Sequence, residues 1–375
     1  MSNILVVTAG LAVGGAEKLA VGLVNEWKNR QFNTYFLSLS DPNPLADSLL
    51  SGACTFIAYP RLKRIDWDVI MKIRRLILEK KIRSVLAFDV YAFFMSRLAT
   101  LGLKTLPRLI LSIHSTKPFS RIRFIKDWIM ARSIRDKDLI VSVCEAQADF
   151  WSKAYSIPRN KFVNIYNGVD IVYFDPTINT EAGRKIRDLY HIAPDDFVIV
   201  QVASLKLHKR HDTSFHALKH IQEFINNRKC YLLLVGGGDS AYEAELKNLA
   251  ISLGISAQVH FCGIQDEVRP YYQAADLFTL SSSAIETFSI AGLEAMSMGL
   301  PCVLTKVGGA KEMVSNDALG YLVDADKPVE LAAAWSKVLI NLQHFDRLKI
   351  RRHVISSFDI KKCAQAYANI LIKEA

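Results

Sequence analysis

Ten short runs rich in Val, Ile and Leu punctuate this chain, and most are continuously apolar rather than alternating. They fall at residues 4–7, 34–37, 84–88, 109–113 and 139–143, then at 197–202, 231–235, 259–262, 277–280 and 301–304. Strands of that kind are buried on both faces, which points to parallel sheets covered by helices. Helical patterning lies between them; Ala16, Leu19, Ala20, Leu23, Val24 and Trp27 share one face at three- and four-residue spacing. Strand–helix repetition over this length predicts an α/β chain of doubly wound units with right-handed crossovers. The series pauses at 170–195, a polar stretch with Asp175-Pro176 and Pro194-Asp195-Asp196, where an interdomain linker is expected. Two domains are therefore expected, 1–178 and 185–358, with an amphipathic terminal segment at 360–372. Each open sheet presents a crevice at its strand carboxyl ends, and the two crevices are expected to face a common cleft.

Composition narrows the class. At 375 residues, 50 % apolar and 22 % charged, the chain is globular and long enough for two cores. No stretch of about 18 uncharged apolar residues occurs, so no bilayer span is expected. The first residues enter 4–7 without a basic region or cleavage pattern, so no export signal is expected. Cysteines 54, 144, 230, 262, 302 and 363 form no CxxC pair and read as small hydrophobes in a reducing cytosol. The net charge of +10 is lopsided: residues 1–180 hold 25 Lys and Arg against 15 Asp and Glu, and 51–138 alone hold 19 against 7. Such a field attracts phosphates, nucleic acid or an anionic membrane.

Three motifs sit where strands give way to helices. Residues 10–17, Gly-Leu-Ala-Val-Gly-Gly-Ala-Glu, follow the first strand and open the first helix, where backbone can approach an anion. The spacing is not GxGxxG, and alone it fits a structural turn equally well. Residues 202–211 follow another strand and carry Lys206, His208, Lys209, Arg210 and His211; cations there suit a diphosphate, although a solvated loop has the same composition. The third motif is Glu286-Thr287-Phe288-Ser289-Ile290-Ala291-Gly292-Leu293-Glu294, with a helix expected to begin near Phe288 and end at Gly299-Leu300-Pro301. The amides of Ser289 and Ile290 would then meet a phosphate, and Glu294 would lie about 12 Å further along the axis than Glu286. Two isolated acids on an ordinary amphipathic helix, one capping and one on the surface, are the alternative.

Taken in order, Gly14-Gly15-Ala16-Glu17, Asn167-Gly168-Val169-Asp170, Lys209, Gly236-Gly237-Gly238, Gly263, the two glutamates eight positions apart and Val307-Gly308-Gly309 resemble family 4 of the retaining glycosyltransferases (glycosyl transferases group 1). The resemblance runs over essentially the whole chain and is strongest at 197–324. It implies the GT-B architecture of two Rossmann-like domains facing a cleft: an acceptor-binding N-terminal domain, a nucleotide-sugar-binding C-terminal domain, and a last helix, 359–375, crossing back onto the first. It further implies that Glu286 meets the donor sugar hydroxyls and Glu294 the ribose, that Lys209 and the Ser289 and Ile290 amides hold the diphosphate, and that Gly15 lets the first loop approach it. His114 would stand beside the donor sugar, and Gly263 and Ile264 would border the nucleoside. Two positions depart from the family pattern. Ser204 stands where an arginine is usual, with Lys206 or Arg210 as possible substitutes, and Thr287 stands where a glycine usually follows the first glutamate.

The implied reaction moves a hexosyl or N-acetylhexosaminyl group from a nucleoside-diphosphate sugar, a UDP-sugar first among them, with retention. Lys209 and aimed amides would stabilise charge developing on the diphosphate. No DxD-like pair falls at a phosphate loop, so the expectation is metal-independent chemistry with no cofactor. No nucleophile faces Glu286 as a double displacement would need, which favours front-face attack.

The basic region suggests the acceptor. Residues 61–83 read as a helix with Trp67, Ile70, Ile73 and Ile77 on an apolar side and Lys72, Arg75 and Lys80 towards solvent. Residues 118–137 mix Phe119, Ile122, Ile125, Trp128 and Ile129 with Arg121, Arg123, Lys126 and Arg132. Such faces either cover a core or rest on anionic lipid. The expectation is a cytoplasmic protein, peripheral on the inner face of the membrane, acting on a lipid-linked saccharide in polysaccharide, lipopolysaccharide or glycolipid synthesis. The alternatives are a same-fold enzyme with a soluble acceptor, an inactive nucleotide-sugar-binding module, and a basic nucleic-acid-binding protein. No nucleic-acid module is visible, and nucleic acid is not an expected partner.

Overall fold

The computed structural model describes residues 2–12, 14–30, 32–63, 65–118, 120–221, 225, 228–283 and 286–373. Two compact units result: residues 1–168 with 360–375, and residues 169–359.

In the first unit, strands β1 (Ser2–Thr8), β2 (Phe32–Ser38), β3 (Thr55–Ala58), β4 (Ile82–Ala87), β5 (Arg108–Ser112), β6 (Leu139–Ser142) and β7 (Phe162–Asn164) form one parallel sheet in the order β3-β2-β1-β4-β5-β6-β7. The reversal between β1 and β4 opens a crevice at their carboxyl ends. Ile4, Leu5, Val6 and Val7 are fully buried, as a strand covered on both faces must be. The terminal helix Ile360–Ile372 packs on this unit. Trp27 Nε1 donates to the Ala364 carbonyl (2.9 Å), Ser84 Oγ to that of Leu371 (2.7 Å), and Tyr367 Oη lies 2.7 Å from Ser112 Oγ.

The second unit holds β8 (Phe197–Val202), β9 (Cys230–Val235), β10 (Val259–Gly263), β11 (Leu277–Leu280), β12 (Cys302–Thr305) and β13 (Gly320–Val323), again all parallel, in the order β10-β9-β8-β11-β12-β13. Its reversal falls between β8 and β11. The expected linker at 170–195 is part of this unit and contains a helix, Ala182–Leu189. Arg187 explains its attachment, since the guanidinium reaches Asp276 (2.8 Å) and the carbonyls of Ala274 and Asp196. Arg351 ties residues 171–175 down in the same way, through Ile171 O, Phe174 O and the Asp175 carboxylate. The division between units accordingly falls at 168/169.

Of the two basic segments, the first differs from its sequence expectation, and in the second most of the apolar residues lie outside the core. The first is a shorter helix, Trp67–Glu79, capped by Asp66, which accepts from Val69 N. Val69, Ile70, Ile73, Leu76 and Ile77 face inward, but Trp67, in the first turn, is 67 % exposed. The second, Arg121–Ala131, is capped by Ser120 and buries only Asp127, Met130 and Ala131. Ile122, Phe124, Ile125, Trp128 and Ile129 are exposed, so they are not core residues. Phe119 lies outside the described residues, as does Val13 of the first loop.

Candidate active site

The loops leaving β8 and β11 are stitched together at the switch point of the second unit. Ser283 N donates to His208 O (2.8 Å) and Ser281 Oγ to Arg210 O (2.6 Å). The short turn Leu207–Lys209 ends at Arg210 in a left-handed conformation. That turn directs Lys209 towards the β11 loop, where Nζ lies 2.5 Å from Glu286 Oε2. Ser282 Oγ donates to the same carboxylate oxygen (3.0 Å). Burial by itself pushes the Glu286 carboxyl up, but the Lys209 charge and the hydrogen bonds from Lys209 and Ser282 outweigh it and hold the group below the usual carboxylate range.

Glu286 is positioned by backbone as well. Gly309 N donates to Thr287 O (2.6 Å), drawing the turn after β12 against residues 286–287. A Cβ on Gly308 would stand 2.2 Å from Thr287 O and 2.5 Å from Glu286 O, and its φ of +53° is itself glycine-favouring. The helix that follows is Ile290–Ser297, slightly later than expected, with Ser289 as its cap: Ser289 Oγ accepts from Gly292 N (3.0 Å). The Ser289 and Ile290 amides therefore stand at a capped helix start, three and four positions after Glu286.

Glu294 is buried, at 6 % exposure, which removes the surface-acid alternative. Tyr272 Oη, from the helix Arg269–Ala274, donates to Glu294 Oε2 (2.7 Å). Burial and the adjacent Glu294 charge push the Tyr272 phenol well above its ordinary value. No sequence signal marked Tyr272 or Ser282 for these positions; both are ordinary residues that the fold carries to a carboxylate.

The remaining predicted donor-site residues cluster at neighbouring strand ends. Leu205 N donates to Gly237 O (3.0 Å) and Gly236 N to Gly263 O (2.8 Å), so the loops after β8, β9 and β10 are joined through backbone. Gly236 has φ +138° and would carry a Cβ 2.2 Å from Ala203 O. Ser204 lies in this junction, half-buried, and Ile264 is exposed beside Gly237. Of the two possible substitutes for the missing arginine, Arg210 is paired with Asp212 (3.0 Å) and Asp326 (2.6 Å). Lys206 is exposed.

Gly15 and His114 belong to the first unit. Gly15 is the exposed first residue of the helix Gly15–Glu26, with Gly14 as its extended cap. His114 follows β5; its Nε2 lies 2.9 Å from Ser112 Oγ and its ring stacks on Phe88 at 5.4 Å and 2°. Burial lowers its pKa to about 4, so the imidazole is neutral at physiological pH. His114 lines a cavity of about 910 Å³ at the carboxyl ends of β1, β4 and β5, bordered also by Glu17, Asp89 and Trp151, by Arg61, Leu62, Lys63 and Ile65, and by one side of the helix Arg121–Ala131.

Two doubly wound parallel units, one of them with a carboxylate–lysine pair at a helix start, define the GT-B class of fold. The chain belongs to the group 1, or family 4, glycosyltransferases: residues 13–173 match "Glycosyltransferase Family 4" and residues 184–352 match "Glycosyl transferases group 1". An uncharacterized glycosyltransferase of Haemophilus influenzae is 23 % identical over 96 % of this chain and 97 % of its own length. A UDP-Gal:alpha-D-GlcNAc-diphosphoundecaprenol alpha-1,3-galactosyltransferase of Escherichia coli is 24 % identical over 83 % of this chain and 81 % of its own. Several other curated relatives, at 27–30 % identity, are matched over about half of their length. Anabaena HepE, solved with UDP-glucose, superposes with a TM-score of 0.86 at 20 % identity, covering 99 % of both chains, and so shares the fold. Among the described residues no helix is long and apolar enough to cross a membrane.

Proposed function

We propose that this glycosyltransferase moves a hexosyl or N-acetylhexosaminyl group from a UDP-sugar to a hydroxyl of a lipid-linked saccharide, with retention at the anomeric carbon, in the assembly of a cell-surface polysaccharide or glycolipid. The observation that carries this reading is the Lys209–Glu286 pair, set just before a capped helix whose second turn holds the buried Glu294.

On this reading the ionised Glu286 accepts hydrogen bonds from two hydroxyls of the donor sugar, and Glu294, fixed by Tyr272, accepts those of the ribose. Lys209 and the Ser289 and Ile290 amides meet the diphosphate. Negative charge grows on that diphosphate as the sugar departs, so groups already aimed at it stabilise the transition state more than the ground state. The charge comes from the protein, and the reaction is proposed to need no metal. The departing phosphate oxygen takes the proton of the attacking hydroxyl on the face it leaves. His114, being neutral, hydrogen-bonds a sugar hydroxyl without adding charge.

The UDP donor and lipid-linked acceptor named for the Escherichia coli relative, and the UDP-glucose in Anabaena HepE, support these substrate classes. Exposed Trp67, Ile122, Ile125 and Trp128 amid Arg and Lys support peripheral attachment to the inner face of the cytoplasmic membrane. The test is a panel of UDP-, GDP- and ADP-hexoses, scored by thermal stabilisation and by release of nucleoside diphosphate with and without EDTA. Stabilisation by a UDP-sugar and EDTA-insensitive turnover are expected. Absence of a response to every nucleotide sugar, or a Glu286→Gln variant as active as the parent, would sink the reading.

A further inference from the structure

The cavity of the first unit is charged in a particular way. Its acids are Glu17, Asp89 and Asp127, and its cations are Arg61, Lys63, Arg123 and Lys126. Two of the acids are already satisfied. Asp127, 2 % exposed, is gripped by Arg123 Nε (3.0 Å), and Asp89 accepts from the amides of Ala9 (2.8 Å) and Ala92 (2.7 Å). Arg61, Lys63 and Lys126 make no ion pair among the described residues. Arg61 lies instead over the Tyr91 ring, 4.1 Å from its centroid. A wall on which Arg61, Lys63 and Lys126 make no ion pair among the described residues, set against the acids Glu17 and Asp89, favours an anionic occupant.

The same wall is also apolar. Leu62, Ile65 and Ile129 line the cavity and are 92 %, 47 % and 52 % exposed, and Ile125 and Trp128 continue the exposed face along the helix Arg121–Ala131. Large apolar side chains grouped this way are stabilised by covering them, at roughly 25 cal/mol per Å². An inorganic anion would leave them in water, and a neutral lipid would leave the cations unmatched.

Resting on the glycosyl-transfer reading above, we propose that the acceptor's lipid is joined to its sugar through a phosphate or diphosphate, which is held by Arg61, Lys63 and Lys126, with the first carbons of the chain lying along Leu62, Ile65 and Ile129. The site therefore selects phosphate-linked lipid acceptors over neutral glycolipids.

Geranyl diphosphate, short enough to stay monomeric, is the probe, titrated into the full chain in saturating UDP so that the donor's own phosphate groups are occupied. Binding is expected, with geraniol and inorganic pyrophosphate each at least about tenfold weaker because each engages half of the site. Arg61→Ala, Lys63→Ala and Lys126→Ala are each expected to weaken the probe about three- to tenfold, and the triple variant more than about thirtyfold, with UDP binding unchanged as the measure of a folded donor unit. Geraniol binding as tightly as geranyl diphosphate, or a triple variant that keeps the probe while still binding UDP, would overturn the proposal. So would displacement of the probe by phosphatidylglycerol vesicles, since the cations would then be reading bulk lipid headgroups. A chain that holds the probe through these cations yet neither binds UDP nor releases it from any UDP-sugar would sink the transferase reading while upholding the anion site.

Discussion

Lys209 Nζ and Glu286 Oε2 stand 2.5 Å apart, although 77 residues separate them in the chain, because the loops after β8 and β11 meet where the strand order of the second sheet reverses. Both side chains are mostly buried, at 19 % and 18 % exposure, so Lys209 helps hold the Glu286 carboxyl below the usual carboxylate range and each fixes the other's direction. Such a pair has more value as a pre-aimed charge than as a stabilising contact, since desolvation offsets much of the attraction.

Glu286→Gln keeps the shape and removes the charge. Turnover is expected to fall by roughly 100- to 1,000-fold, the scale of losing one aimed polar group in a closed site, with UDP affinity within about threefold of the parent. Steady-state kinetics with calorimetric UDP titration check this; an equal loss of UDP affinity would mean that Glu286 acts by positioning Lys209 for the diphosphate and not by meeting the sugar.

Tyr272→Phe removes the hydroxyl that orients Glu294 and leaves the ring in place. A hydrogen bond to a charged group contributes about 1.5–3 kcal/mol, so donor KM is expected to rise at least about tenfold. Because the ribose is remote from the reacting centre, kcat should stay within about threefold. A fall in kcat alone would contradict the assignment.

Gly308→Ala tests the backbone support of Glu286. The new Cβ would meet Thr287 O and Glu286 O at 2.2 and 2.5 Å, so the loop must move. Stability is expected to drop by about 1–3 kcal/mol and turnover by at least about tenfold. Gly102→Ala is the control: its φ is +71° but nothing lies within 4 Å of the new atom, so it should carry backbone strain and leave turnover unchanged. Chemical denaturation and kinetics on both variants separate strain from displacement.

Acid should weaken the fold through two histidines. His211 is fully buried with no hydrogen-bonding partner for either ring nitrogen among the described residues, and burial, aided by Lys209, lowers its pKa to about 4; burial does the same to His114. The unfolded chain, titrating at about 6.5, takes up these protons first. Stability is thus flat above about pH 6.5 and declines between there and about pH 4, by up to about 1.4 kcal/mol per pH unit for each histidine. Urea denaturation from pH 8 to pH 5 should show this slope, and His211→Leu should lessen it by about one proton. An unchanged slope in that variant would exclude His211 as a source.

Legibility varied with how local each cause was. Ten strands announced themselves through runs of Val, Ile and Leu, whereas β3, β7 and β13 are short edge strands whose residues are less apolar. Glu286, Glu294 and Lys209 could be picked out because their spacing and order resemble a family pattern. Their partners Tyr272 and Ser282 could not, since nothing in an isolated tyrosine or serine says which carboxylate it will reach. The helix 121–131 shows the limit most plainly: its apolar residues follow a core-like pattern, yet only Asp127, Met130 and Ala131 are buried, because residues outside the helix decide which face is covered.

Period and composition alone determined that this chain would form two parallel α/β units, since a continuously apolar strand is stable only when helices cover both of its faces. Tertiary structure decided which charges are neutralised and which remain free. Arg210 is taken by Asp212 and Asp326, Arg123 by Asp127 and Lys209 by Glu286, while Arg61, Lys63 and Lys126 remain without an ion pair among the described residues. Electrostatic pairing acts over a few ångströms in space irrespective of separation along the chain, so it is settled only when distant loops have been brought together.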